Sequence, residues 1–84
     1  MAEVVIYGTP TCPDGLGARR WLSARGLPFT FHDVTQDPEA RDAWERLYRG
    51  GNPTILIDGR MVMNGGVFTD DILARWLDPQ APRG

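Results

Sequence analysis

Lysine is missing from this chain altogether, and cysteine and histidine occur once each. All nine basic residues are therefore arginines. That bias accompanies the many alanines, glycines and prolines and carries no mechanism by itself. A single cysteine excludes an internal disulfide, and an unpaired thiol is kept intact by a reducing compartment, so a cytoplasmic location is expected. Cys12 and His32 together offer at most two soft ligands, short of the three or four that a zinc site needs, and no metal site is expected. No apolar run approaches the ~20 residues of a membrane span. The opening MAEVVIYGTP has neither the basic nor the long apolar region of an export signal, so a soluble chain with no membrane partner is expected. Nine basic against eleven acidic residues leave a net charge of -2, which supplies no general attraction to nucleic acid. Small molecules and other proteins are the expected partners.

What is present fits one small domain, 1–84, whose segment 78–84 (DPQAPRG after Leu77) reads as a loose tail. The run EVVIY is β-branched, closed by Gly8 and Pro10, and apolar enough for a central strand buried on both faces. From Pro13 to Arg25 a helix is expected, with Pro at its first position, Asp14 in its first turn, and Gly26 as C-cap. Its inner face carries Ala18, Trp21 and Leu22. PFTFHDV alternates with period two and predicts a second strand over 28–34, reached by a right-handed parallel crossover. A second helix opens with Asp37 as N-cap and places Ala40, Ala43, Trp44, Leu47 and Tyr48 on one face before Gly50 and Gly51. TILID and MVMN read as a hairpin around an Asp-Gly turn, joined by Gly59-Arg60 after Asp58, and TDDILARWL as a last helix capped by Thr69 or Asp70. Trp21, Trp44 and Trp76 fall one per helix, and each is expected to pack into the core. His32 is expected on the surface of its strand.

The order β-α-β-α-β-β-α predicts an α/β fold: a mixed four-stranded sheet with three helices on its two faces. Topology of this kind does not identify a function. The placement of Cys12 does more, because it falls after the first strand at the N-terminus of the first helix. A thiolate there meets unpaired backbone N–H groups and the positive end of the helix dipole, which raises its reactive fraction at neutral pH.

In VIYGTPTCPDG, ARGLPFTFHDV, PTILIDGR, and NGG followed by the acidic pair DD, the chain resembles the glutaredoxins, the small branch of the thioredoxin-fold thiol–disulfide oxidoreductases. The resemblance runs from Val4 to about Leu77. It implies a thioredoxin-like fold, with Cys12 as nucleophile in an active-site loop of Thr11, Pro13, Asp14 and Gly15. It also implies that Pro53, preceded by Asn52, is a cis-proline facing the sulfur, and that backbone groups of Asn52 bind the cysteinyl part of a thiol tripeptide. Gly65, Gly66 and the start of the last helix would hold its γ-glutamyl carboxylate through N–H groups. Asp70 or Asp71 would meet its amino group, and Arg49 its other carboxylate.

Three positions depart from the family pattern. Gly15 stands where a dithiol glutaredoxin has its second cysteine, so the chain resembles a monothiol form. Thr9 replaces a common basic residue. Val67, Phe68 and Thr69 separate Gly66 from the Asp pair, and this segment is equally similar to the glutaredoxin-like hydrogen donors of ribonucleotide reductase. The expected activity is exchange through Cys12 on mixed disulfides of proteins with glutathione or another low-molecular-weight thiol. That thiol serves as co-substrate, no cofactor is tightly bound, and the chain is a monomer whose partners are disulfide or S-thiolated proteins. Two alternatives stay open: a redox sensor or adaptor without turnover, and a [2Fe-2S] cluster shared by two chains and two thiol tripeptides.

Overall fold

The β-branched run forms β1 (Val4–Gly8), which lies inside the sheet with β2 (Thr30–Asp33) parallel on one side and β3 (Thr54–Ile57) antiparallel on the other. β4 (Arg60–Asn64) pairs with β3, giving the order β2-β1-β3-β4. With α1 (Pro13–Ala24), α2 (Pro38–Tyr48) and α3 (Asp70–Leu77), the chain follows the expected order of elements. These features come from a computed structural model that describes residues 2–77; the expected tail 78–84 lies outside the described residues.

Local chemistry accounts for each helix end. Cys12 is the N-cap of α1, with extended backbone angles, and Pro13 follows at the first helical position. The helix stops at Ala24, one residue short of the expected Arg25. Gly26 stands one place beyond the cap with φ 66° and donates to Ser23 O, while Leu27 donates to Leu22 O. This paired closure needs a left-handed residue after the cap, which is why the glycine sits outside the helix. Arg25 caps instead: its guanidinium donates to Trp21 O and lies 3.9 Å from the Trp21 ring centroid. In α2 the Asp37 carboxylate accepts from Glu39 N and Ala40 N, as an acidic N-cap should.

The hairpin turn is Asp58-Gly59, with φ 52° and 80°; two left-handed residues in succession match the twist of the flanking strands. Arg60 belongs to β4 opposite Ile57, not to the turn. Ile55 faces Met63 while Leu56 faces Met61, so Val62 is an extra residue that bulges β4. The second strand is shorter than the expected 28–34, since only Thr30–Asp33 pair with β1.

One core lies between the sheet and the pair α1 and α3. Val4, Ile6, Ile55, Ile57 and Met63 meet Ala18, Trp21, Leu22 and Leu73 there. The alternate strand residues face α2, and that side is thinner. β1 is therefore buried on one face and only half-buried on the other, through Val5 and Tyr7, against the expectation of burial on both. Two further expectations fail for related reasons. Leu47 is 58% exposed although it shares a face with buried Ala40, because α2 lies over the edge strand β2 and its apolar stripe outruns the surface beneath it. Trp76 is 40% exposed: Leu73 points into the core, and Trp76 flanks α3 with the Arg60 guanidinium 5.2 Å from its ring.

Candidate active site

The site forms where β1 ends. Gly8 closes the strand, and the loop from Thr9 to Thr11 delivers Cys12 to the start of α1. This half-exposed residue is the free cysteine of the chain, and its Sγ lies 3.8 Å from the carbonyl oxygen of Asn52, to which the thiol donates. The Asn52–Pro53 bond is cis, as the resemblance implied, and Pro53 is fully buried behind the active-site turn. The two loops are laced together by side chains 43 residues apart: Thr9 N donates to Asn52 Oδ1 at 3.3 Å, and Asn52 Nδ2 donates to Thr9 Oγ1 at 3.0 Å. Glycine at position 8 leaves room for this amide, since a Cβ there would come within 2.6 Å of Asn52 Oδ1 and displace it.

Gly15 sits between the two key residues. A Cβ at that position would lie 3.5 Å from Pro53 Cβ and 4.0 Å from Cys12 Cβ. The latter falls inside the ~3.5–4.5 Å range of bonded cystines. Gly15 is buried, so the space a second thiol would fill is the first helical turn packed on the proline.

A third wall comes from the segment after β4. Gly65 donates to Pro53 O at 2.8 Å, and Gly65 and Gly66 take φ 76° and 87°, consecutive left-handed values that suit glycine. The chain then returns to α1, where Phe68 N donates to Asp14 Oδ1 at 2.8 Å. Of the residues singled out from sequence, Cys12, Asp14, Gly15, Asn52, Pro53 and Gly65 form one contiguous group through these contacts. Thr11 and Pro13 flank the sulfur on the exposed side of the loop, and Gly66 is exposed just beyond Gly65. Arg49, Asp70 and Asp71 occupy exposed helix ends: Arg49 is the left-handed C-cap of α2, and the two acids start α3, where Thr69 Oγ1 donates to the Asp71 carboxylate. Among the described residues, no group of three or more His, Cys, Asp or Glu could hold a metal ion, and no helix is long and apolar enough to cross a membrane.

Sequence reasoning missed the Thr9–Asn52 lacing and the Asp14–Phe68 bond. Each joins residues more than forty positions apart, and neither partner has a local signature. In the sequence Thr9 stands out only as the place of a common basic residue.

The family model for glutaredoxin matches residues 4–62. The chain belongs to the glutaredoxin family. Among solved structures, it is similar to a mutant of the thioredoxin-like protein BC3987, with 27% identity and a TM-score of 0.74 over 88% of this chain and 92% of that one. It also resembles the glutaredoxin grx-1 of Archaeoglobus fulgidus, with 21% identity and a TM-score of 0.71 over 93% and 88%, a likeness of fold. The dithiolic glutaredoxin 2-C-Grx1 of Trypanosoma brucei brucei matches at 26% identity and a TM-score of 0.57, over 73% of this chain and 67% of that one. No curated protein matches the chain. The fold is thioredoxin-like, and the family's chemistry is thiol–disulfide exchange.

Proposed function

We propose that this glutaredoxin works through Cys12 alone, reducing mixed disulfides between proteins and glutathione or a similar low-molecular-weight thiol. The observation that carries this reading is the half-exposed Cys12 sulfur at the N-terminus of α1, against the cis-Pro53 turn, with glycine in the neighbouring position that could have supplied a second thiol. The Cys12 thiolate attacks the glutathione sulfur of the mixed disulfide. A bond forms between Cys12 and that sulfur, the bond to the protein sulfur breaks, and the protein leaves as a thiolate that takes up a proton. A second glutathione, as thiolate, attacks the glutathione sulfur held on Cys12. Glutathione disulfide departs and Cys12 is restored as a thiolate.

The chain's own groups orient these steps. Asn52 presents its backbone to the cysteinyl part of the tripeptide, and Pro53 and Gly15 pack behind the sulfur. Gly65 and Gly66 with the start of α3 face the γ-glutamyl end, Asp70 or Asp71 meets its amino group, and Arg49 takes the remaining carboxylate. Such a cycle suits a monomer in a reducing, cytoplasmic setting, where one thiol remains available.

The test is reduction of a glutathionylated peptide by glutathione, with the wild type and Cys12→Ser. The wild type is expected to turn over and the variant to lose all activity, and residual activity in the variant overturns the mechanism. A wild type that traps glutathione on Cys12 without turnover would instead identify a sensor. Visible charge-transfer absorption after anaerobic purification would identify a cluster scaffold. Gly15→Cys probes the geometry: under mild oxidation its two thiols should disappear together as an intramolecular disulfide, given the 4.0 Å Cβ separation. Two thiols that remain titratable would show that positions 12 and 15 are not neighbours.

A further inference from the structure

The segment from Gly65 to Thr69 turns on two left-handed glycines and then meets α1 at two points one helical turn apart. At the first, Asp14 Oδ1 accepts from Phe68 N at 2.8 Å. At the second, the Phe68 ring edge lies against Gly17, so close that a Cβ on Gly17 would stand 3.2 Å from Cδ2. Residues 14 and 17 share a face of α1, so the amide and the ring of one residue are held by one surface. The same ring packs against the core cluster. Val67, between the glycines and this double contact, is 76% exposed and is carried along by it.

We propose that Asp14 is a positioning residue for the thiol co-substrate, fastening the 65–69 segment to the active-site helix through the Phe68 amide. The inference rests on the thiol-exchange reading above and deepens it. Asp14 is two residues after Cys12, while Gly65 is bonded to Pro53. The carboxylate therefore fixes the spacing between the wall that faces the γ-glutamyl end and the turn that bears the sulfur. A charge-assisted bond to a backbone N–H, half-buried here, is stronger than a neutral one. Releasing it loosens the wall between Gly65 and the Phe68 ring, and the co-substrate must then order it on binding, which costs affinity rather than chemistry. The carboxylate is engaged with the amide, so a role as proton carrier for the sulfur is not needed to explain its presence.

The experiment compares wild type, Asp14→Ala, Asp14→Asn and Gly17→Ala in steady-state reduction of a glutathionylated peptide, together with amide hydrogen exchange at Phe68. Asp14→Ala should raise the KM for glutathione or for the mixed disulfide about tenfold with kcat changed less than about twofold, the size expected for loss of one charged hydrogen bond. Its Phe68 amide should exchange at least about tenfold faster. Asp14→Asn keeps an acceptor oxygen and should restore both readouts to within about threefold of wild type. Gly17→Ala leaves Asp14 in place but presses on the ring, and should raise KM by about two- to threefold. The proposal is overturned if Asp14→Ala leaves KM and Phe68 exchange unchanged, if it lowers kcat with KM constant, or if Asp14→Asn behaves like Asp14→Ala. A wild type that is inactive yet protects the Phe68 amide overturns the exchange reading and with it the co-substrate role, while the bond itself stands.

Discussion

The two faces of the sheet are built differently. Under α1 and α3 the strands present Val4, Ile6, Ile55 and Ile57, and the helices answer with Ala18, Leu22 and Leu73, each of these three without exposed surface. Under α2 the strands present Val5, Tyr7, His32 and Leu56, and what meets them is small or aromatic: Ala40, and Tyr48 with its ring 5.4 Å from that of Tyr7. Tyr7 and His32 lie opposite each other in the parallel pairing and stack with centroids 4.7 Å apart. The first face is close-packed hydrocarbon and the second an open aromatic layer. The helix that carries the reactive cysteine stands on the first. A nucleophile that must meet a substrate sulfur at one distance is thereby anchored where the fold yields least.

That contrast predicts a wide gap between two leucines. Leu22→Ala removes a fully buried side chain from the α1 face and should cost ~2–5 kcal/mol of unfolding free energy, because the rigid surroundings collapse only partly into the cavity. Leu47→Ala on α2 removes one that is 58% exposed and should stay within ~0.5 kcal/mol of wild type. Denaturant unfolding of both variants measures the gap directly. Equal losses would mean that α2 is as firmly packed as α1, and the comparison of faces would collapse.

The same two leucines show what could be read from sequence. Periodicity identified the buried stripe of α1, and the parallel pairing of the first two strands and the antiparallel hairpin were both legible. Periodicity reports how apolar a face is and says nothing of the extent of the surface opposite it, so Leu47 and Trp76 were misplaced into the core. The site divides in the same way. Cys12 at the N-terminus of α1 was legible because the Pro and Asp that start a helix are local signals, and cis-Pro53 because the family resemblance carries it. The Thr9–Asn52 and Asp14–Phe68 bonds were not, since each depends on how distant segments meet.

Where the packed face ends, at the mouth of the site, the fold should be less tolerant than its exposure suggests. Gly8→Ala would place a methyl 2.6 Å from Asn52 Oδ1, so the amide must swing away and give up both bonds to Thr9. Two hydrogen bonds at about 1 kcal/mol each set the expected loss near 2 kcal/mol. Activity should fall with it, because Asn52 also carries the carbonyl that faces the sulfur. Thr9→Val removes the hydroxyl acceptor alone and should show about half that loss in the same unfolding measurement. If Gly8→Ala is as stable as wild type, the lacing between the loops contributes nothing.

The smallest expected effect belongs to the open face and is read as a pH dependence. Burial, followed by the neighbouring Tyr48 and then Asp37, raises the Tyr7 hydroxyl above its ordinary value of 10.0. All three disfavour the phenolate: the first withholds solvent, and the other two add negative charge nearby. Below pH 10 the group is neutral in both the folded and the unfolded chain, and its contribution to stability is fully present. As pH climbs past 10 the unfolded chain releases the proton while the folded chain retains it. The folded state then binds more protons, and stability falls until Tyr7 ionises in place. Tyr7→Phe cannot take part in this release. Subtracting its unfolding free energy from that of wild type should give a difference that is flat from pH 8 to 9.5 and drops above 10. Losses from groups that do not interact with Tyr7 are common to both proteins and cancel in the subtraction. On the tightly packed face no strand residue could report in this way, since Val4, Ile6, Ile55 and Ile57 have nothing to titrate. A difference that stays level through pH 11 would mean that Tyr7 is solvated like a free phenol, and that the aromatic layer under α2 shields nothing.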